Sequence, residues 1–220
     1  QHEMRVLAAV CVIVLLAGCA SAAPVPSTYP GYMITGDRNS KLVLEIAVDL
    51  ACPGSASTFN GVFAFGQVSD KFLWEELAIS VVIFPLPYHT ASFIAAKGLY
   101  ALYQLAPTYI QSGLYYMFEE QADILNESVA PLNVSQIEDI VARRVDDITG
   151  SIAIYGEVLD LIENDPATDM DTRTVWKSMC ERGNSGTPSF FINSVAFMPD
   201  SDDAYSDPQW WIDYLRSLLA

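Results

Sequence analysis

The chain of 220 residues is poor in cysteine, histidine and basic side chains, and each shortage excludes a class of protein. It has four cysteines and two histidines, and no set of them has the spacing of a zinc site. Only 11 lysines and arginines stand against 27 acidic residues, which gives a formal net charge of -16. A nucleic acid or an anionic membrane is therefore not an expected partner, since both bind basic surfaces.

Sequence motifs for other kinds of chemistry are also missing. The acidic residues of the loop 200–207 lack the spacing of an EF-hand. The chain contains neither a glycine-rich phosphate loop nor a Gly-x-Ser-x-Gly nucleophile turn. The sequence therefore predicts no metal site and no resident cofactor.

The N-terminal segment has the pattern of a secretory signal peptide. A basic start at Met4-Arg5 precedes the apolar run 6–18 and the small residues Ala20-Ser21-Ala22. The run is short for a membrane span, so we predict a signal peptide over residues 1–22 and no integral membrane segment after cleavage. We expect the mature protein to be secreted or to reside in the lumen of the secretory pathway.

Two other patterns bear on the route of export. Leu16-Ala17-Gly18-Cys19 resembles the cleavage box of bacterial lipoproteins, in which Cys19 would carry a lipid. The triplets that begin at Asn126 and Asn133 instead match the glycosylation signal of a eukaryotic secretory route. We favour the second interpretation, with Asn126 and Asn133 as glycosylation sites, and the first stays open.

After cleavage, the order of predicted elements defines one domain. Residues 23–40, rich in proline, form an extended leader. The apolar strand 41–49, a helix from about residue 55 to 65 and the β-branched strand 79–84 make a βαβ unit with parallel strands. A final unit has strands at 189–193 and 194–198 and a helix from about residue 208 to 219.

The segment from about residue 90 to 182 is predicted to be a helical insertion between these two units. Asn133 and Gln136 have the spacing of a capping box at the start of one helix. Asp169 is predicted to cap the last helix of the insertion, over about 171–182. The fold class is therefore α/β, with the order βαβ, helices, ββα over residues 41–220.

Cys52 lies where the first strand gives way to a helix, in Leu50-Ala51-Cys52-Pro53-Gly54-Ser55. A helix N-terminus favours the thiolate, which is the reactive form of cysteine. The alternative is a buried structural thiol. Signal cleavage would leave Cys52 and Cys180, which either pair with each other or leave at least one thiol free.

Three segments of the sequence resemble the DsbA-like branch of the thioredoxin superfamily. Cys52-Pro53-Gly54-Ser55 looks like its active-site turn, and Gly186-Thr187-Pro188 with the following strand looks like its cis-proline segment. Leu86-Pro87-Tyr88-His89 is similar to a segment of eukaryotic members with Cys-Pro-x-Ser. The resemblance implies a thioredoxin-like fold over 41–220 and a substrate site beside Cys52. Pro53, His89, Thr187 and Pro188 would line that site, where the backbone of Thr187 pairs with an extended peptide or with glutathione.

Ser55 departs from the two-cysteine pattern of that branch. A second thiol would release the partner from a mixed disulfide, whereas serine is predicted only to donate a hydrogen bond to the Cys52 thiolate. Cys180 is either a remote resolving thiol or, as we favour, a helix-packing residue. His89 either stabilises the thiolate as a cation or proton donor or makes an ordinary backbone contact.

The resemblance and the single cysteine together favour a monothiol thiol-disulfide oxidoreductase or isomerase. Cys52 is its predicted nucleophile, Ser55 its support, and protein thiols, disulfides or extended peptides its partners. Glutathione is a candidate co-substrate. Two alternatives remain at this point. One is a peptide-binding protein that keeps the fold without catalysis, and the other is a glutathione-dependent transferase or isomerase.

Overall fold

The computed structural model describes residues 31–150 and 152–220. The predicted signal peptide 1–22, with Cys11 and Cys19, and the first residues of the predicted leader lie outside the described residues. Within the described part of the chain, no helix has both the length and the apolar character needed to cross a membrane.

The described strands form a five-stranded mixed sheet in the order β1-β3-β2-β4-β5. Their bounds are β1 Tyr32–Thr35, β2 Leu42–Val48, β3 Leu77–Ile83, β4 Ser189–Ile192 and β5 Val195–Phe197. The central strand β2 runs parallel to β3 and antiparallel to β4. The carboxyl ends of β2 and β3 therefore meet the start of β4 at one edge of the sheet.

Along the chain, helices lie between β2 and β3, between β3 and β4, and after β5. They are α1 Pro53–Thr58, α2 Ser92–Leu105, α3 Ile110–Glu119, α4 Asn126–Val129, α5 Val134–Thr149, α6 Tyr155–Asn164, α7 Pro166–Glu181 and α8 Pro208–Leu219. A π-helical turn, Phe59–Phe63, continues α1. The predicted βαβ unit, helical insertion and ββα unit are confirmed in this order.

Both faces of the sheet are covered, which explains why β2 and β3 consist almost entirely of apolar residues. On one face, Phe63, Phe190 and Trp211 pack together, with ring centroids 4.8–6.2 Å apart. On the other face, α7 places Met179 against Phe191. The three inner strands β2, β3 and β4 alternate between the two clusters, as the two-residue period of a strand requires.

Two boundaries differ from the sequence prediction. Tyr32–Thr35, which we expected in an extended leader before residue 41, pairs with β3 as an edge strand, so the domain includes it. The helix that we expected to start behind Asp169 begins at Pro166, and Asp165 caps it through the N–H groups of Ala167 and Thr168. The predicted capping box of Asn133 and Gln136 is present at the start of α5.

Candidate active site

Cys52 stands at the junction between β2 and α1. Its backbone is still extended, with φ -92° and ψ 117°, and it is the N-cap of α1. Pro53 follows at the first helical position, where the absence of an N–H group costs nothing. The Cys52 residue is only 9% exposed. The turn therefore presents a thiol at the edge of the sheet, largely shielded from solvent.

The segment before β4 lies against this thiol. The peptide bond between Thr187 and Pro188 is cis, and the Cys52 Sγ lies 3.5 Å from the Thr187 carbonyl oxygen. A methyl group built on Gly54 would lie 3.6 Å from Pro188 Cδ and 3.8 Å from Cys52 Sγ. The structure thus brings Cys52, Thr187 and Pro188 together, across 135 residues of sequence.

Ser55 has a different role from the one that the sequence predicted. Its side chain is fully buried, and its Oγ accepts a hydrogen bond of 3.2 Å from the backbone N–H of Asp49. Among the described residues, no hydrogen bond joins Ser55 to the Cys52 Sγ. The hydroxyl therefore fixes the end of β2 against α1 rather than supporting the thiol directly.

Asp49, which the sequence analysis did not select, is the polar centre of the site. Its carboxylate is fully buried and accepts four hydrogen bonds. Oδ1 accepts from the Ala51 N–H at 2.8 Å and the Ser92 hydroxyl at 2.5 Å. Oδ2 accepts from the Leu86 N–H at 2.9 Å and pairs with His89 Nδ1 at 2.7 Å. One carboxylate therefore joins the Cys52 turn to the loop after β3.

His89 is oriented by that carboxylate. Its side chain is 16% exposed, and because Nδ1 faces Asp49, Nε2 is the nitrogen left for other partners. The neighbouring Tyr88 is 62% exposed and meets the His89 ring edge-on, with the ring centroids 4.8 Å apart. Through Asp49, His89 is therefore part of the hydrogen-bond network that holds the Cys52 turn.

The two predicted glycosylation residues differ in their contacts. Asn126 is exposed, yet its amide donates to the Tyr88 carbonyl at 2.8 Å and accepts from the Thr90 N–H at 2.9 Å. Asn133 is exposed and uses only its oxygen, which accepts from the Gln136 N–H as the helix cap. Of the two, Asn133 has the less engaged amide nitrogen within the described contacts.

Cys180 lies in the last turn of α7 and is exposed. Within the described residues it forms no disulfide, and neither does Cys52. Two residues further on, Arg182 makes a bidentate ion pair with the buried Glu45, with N–O distances of 2.7 and 2.8 Å. The surroundings of Cys180 are therefore those of a helix end held against the sheet.

Other features place no competing site beside the thiol. A cavity of about 450 Å³ lies between β1, α3 and the segment that follows α1, and Cys52 is not among its lining residues. In the part of the chain that the structure describes, no group of three or more His, Cys, Asp or Glu side chains is arranged to hold a metal ion.

Comparisons with known proteins identify the fold. A scan against family models and a search of curated proteins found no match. Among solved structures, BdbD from Bacillus subtilis is 14% identical with a TM-score of 0.66, over 86% of this chain and 93% of BdbD. A thioredoxin-like oxidoreductase from Silicibacter pomeroyi is 16% identical, with a TM-score of 0.55 over 86% and 94%. MdbA, a thiol-disulfide oxidoreductase from Corynebacterium diphtheriae, is 12% identical, with a TM-score of 0.56 over 84% and 92%. The chain therefore has the thioredoxin-like fold with a helical insertion, which confirms the predicted fold class.

Proposed function

We propose that this protein is a thiol-disulfide oxidoreductase or isomerase that works with one thiol, Cys52. The observation that carries the proposal is the position of Cys52 Sγ at the edge of the sheet, 3.5 Å from the Thr187 carbonyl and beside Pro188. The fold is the one found in the solved oxidoreductases. The similarity in fold supports thiol-disulfide exchange as the class of reaction. The main argument for it is the arrangement of the residues around Cys52.

The reaction is a sulfur exchange that conserves electrons. The Cys52 thiolate attacks one sulfur of a client disulfide, so that a bond forms between Cys52 Sγ and that sulfur. The client's disulfide bond breaks, and its second sulfur leaves as a thiolate that takes up a proton. Because serine occupies position 55, the mixed disulfide is resolved by a thiol from outside the turn. That thiol is glutathione or another cysteine of the client, and the latter outcome is isomerisation.

Thr187 and Pro188 form the proposed substrate-binding surface, together with the exposed Pro53. The Thr187 Oγ1 is buried and has no hydrogen-bond partner among the described residues. Because that hydroxyl is out of contact with solvent, we propose that the Thr187 backbone, and not its side chain, pairs with a peptide or glutathione seated beside Cys52. We propose extended peptides with a cysteine or a disulfide as the clients, and the secretory pathway as the compartment.

The test is the formation of a mixed disulfide at the proposed nucleophile. We expect glutathione disulfide or an oxidised peptide to add to Cys52, as located by mass spectrometry of digested protein. The variant Cys52→Ser should form no adduct at that position, whereas Cys180→Ser should form it as the wild type does. Adducts confined to Cys180, or equal adduct formation in a denatured sample, would refute the proposal.

A second function, peptide binding without exchange, is favoured by one observation. The Cys52 residue is 9% exposed, so a bound peptide can cover the thiol without reacting. Binding of a peptide that lacks cysteine, measured by calorimetry in wild type and Cys52→Ala, separates the two functions. Equal affinity together with no adduct formation would support binding alone.

A further inference from the structure

The helical insertion reaches the nucleophile turn through one buried side chain, Gln121. This residue begins the 3-10 turn Gln121–Ile124 after α3 and is 7% exposed. Its Nε2 lies 2.7 Å from the Leu50 carbonyl oxygen and 3.1 Å from the Cys52 carbonyl oxygen. A primary amide has two N–H donors, so one side chain holds the carbonyls on both sides of Ala51.

These two hydrogen bonds fix the conformation of the turn. The Cys52 carbonyl also accepts from the Ala56 N–H at 3.1 Å, so two donors together hold its direction. The conformation of Cys52 sets both the direction of its carbonyl group and the direction of its side chain. The position of Cys52 Sγ relative to the Thr187 carbonyl is therefore tied to Gln121.

The contact with Leu50 extends to the buried carboxylate. The Leu50 carbonyl and the Ala51 N–H belong to one peptide group, and that N–H donates to Asp49 Oδ1 at 2.8 Å. Hydrogen bonds in such a chain polarise one another. Gln121 and Asp49 thus hold the Leu50–Ala51 peptide from its two ends.

We infer that Gln121 is a positioning residue for sulfur exchange at Cys52, an inference that rests on the proposed function. It acts through the backbone of Leu50 and Cys52, with no contact to the substrate. Exchange needs the attacking sulfur in line with the disulfide bond of a docked client, and small displacements of reacting atoms are costly. The helical insertion therefore sets the geometry of attack as well as covering the core.

The experiment compares two reactions of the same thiolate. Alkylation of Cys52 by iodoacetamide needs no docked partner, whereas formation of a mixed disulfide with an oxidised peptide does. Gln121→Met removes both donors and keeps the length of the side chain. We expect the ratio of the exchange rate constant to the alkylation rate constant to fall about tenfold or more. A change in the fraction of thiolate alters both rates alike and leaves this ratio unchanged.

The matched control is Gln104→Met. The Gln104 Nε2 donates to Thr168 Oγ1 at 3.0 Å within the same insertion, so this variant loses an amide hydrogen bond at an exposed residue away from the turn. Its ratio should equal that of the wild type. Gln121→Asn, in which the amide is one methylene shorter, is the second variant if Gln121→Met does not fold.

The outcomes separate this inference from the proposed function. A folded Gln121 variant with the wild-type ratio overturns the positioning role and leaves the proposed function intact. If neither variant folds, Gln121 is required for the fold and the positioning role is likewise rejected. A wild-type protein that forms no mixed disulfide at Cys52 defeats the proposed function itself.

Discussion

The two cysteines of the described chain lie in opposite surroundings. Cys52 is largely buried, and the backbone around it donates hydrogen bonds to the side chains of Ser55 and Asp49 and accepts one from Gln121. Cys180 is exposed at the end of α7. The Thr187 carbonyl and Pro188 lie beside the Cys52 thiol, whereas Cys180 is exposed to solvent.

This difference affects how each thiol reacts. An exposed thiol is accessible to any small reagent, whereas a thiol beside a substrate-binding surface reacts with the partners that dock on that surface. We therefore expect Cys180 to behave as an ordinary surface cysteine and Cys52 to select among disulfides. Substitutions near Cys180 and near Cys52 test the two surroundings.

The largest effect is expected near Cys180, where substitution of Arg182, and not of the cysteine, should lower the free energy of unfolding. Arg182→Met leaves the fully buried Glu45 without its bidentate partner. Removing one member of a buried pair costs about 3–5 kcal/mol, which urea denaturation would measure. The control Arg143→Met breaks a bidentate pair with Asp139 on the surface and should leave the unfolding midpoint nearly unchanged. Equal losses in both variants would contradict this account.

The next effect is expected at the polar centre beside Cys52. Asp49→Asn places an amide N–H where the carboxylate now accepts four hydrogen bonds, so that at least one buried donor loses its partner. We expect a loss of about 1–3 kcal/mol in the free energy of unfolding. Asp160→Asn, at an exposed site where the carboxylate accepts only from Asn164 within the described contacts, is the control. A thermal midpoint of Asp49→Asn equal to that of the control would remove Asp49 from its structural role.

A second thiol at the turn should convert the site to two-thiol chemistry. In Ser55→Cys, the new thiol lies three residues after Cys52, in the first turn of α1. We expect it to turn away from the Asp49 N–H that Ser55 contacts, attack the mixed disulfide at Cys52 and release the partner. We expect the lifetime of a glutathione adduct to fall about tenfold or more, as followed by mass spectrometry. Ser57→Cys, at an exposed position of α1, should leave the lifetime unchanged. Equal lifetimes in the two variants would mean that position 55 does not face the adduct.

The smallest effect is expected from Cys180 itself. Cys180→Ser should change the free energy of unfolding by less than about 0.5 kcal/mol, because the side chain is exposed. The lifetime of the adduct at Cys52 should not change. A markedly longer lifetime, with a Cys52–Cys180 disulfide recovered from the wild type, would instead make Cys180 the resolving thiol.

The sequence predicted most of the fold because the signals were local and strong. The β-branched run of β3 and the capping box at Asn133 identify their elements directly. The edge strand Tyr32–Thr35 was missed because it follows a proline-rich stretch and is short. The start of α7 was misplaced because Asp165 and Asp169 are both good N-caps, and the proline after Asp165 favours the earlier start.

The site was predicted only in part, for a related reason. Cys52 and Pro188 carry recognisable motifs, whereas Asp49 and Gln121 are single polar residues. Most of their hydrogen-bond partners lie 37 to 71 residues away in the sequence. The one local signal for Asp49 was a charged residue at the end of a mostly apolar strand. The contact of Ser55 with the Asp49 N–H was not predicted, because sequence spacing does not indicate where a buried hydroxyl points.

The long span of sequence between Cys52 and Thr187 has a consequence during synthesis. The two residues are 135 positions apart, and β4 pairs with β2 only after the entire insertion has been made. At ribosomal rates of about 5–20 residues per second, Cys52 precedes its partner strand by roughly 7 to 27 seconds. During that interval it is an ordinary thiol on a nascent chain, open to capture by any disulfide nearby. We therefore expect Cys52 to become selective among disulfides only after β4, β5 and α8 have docked.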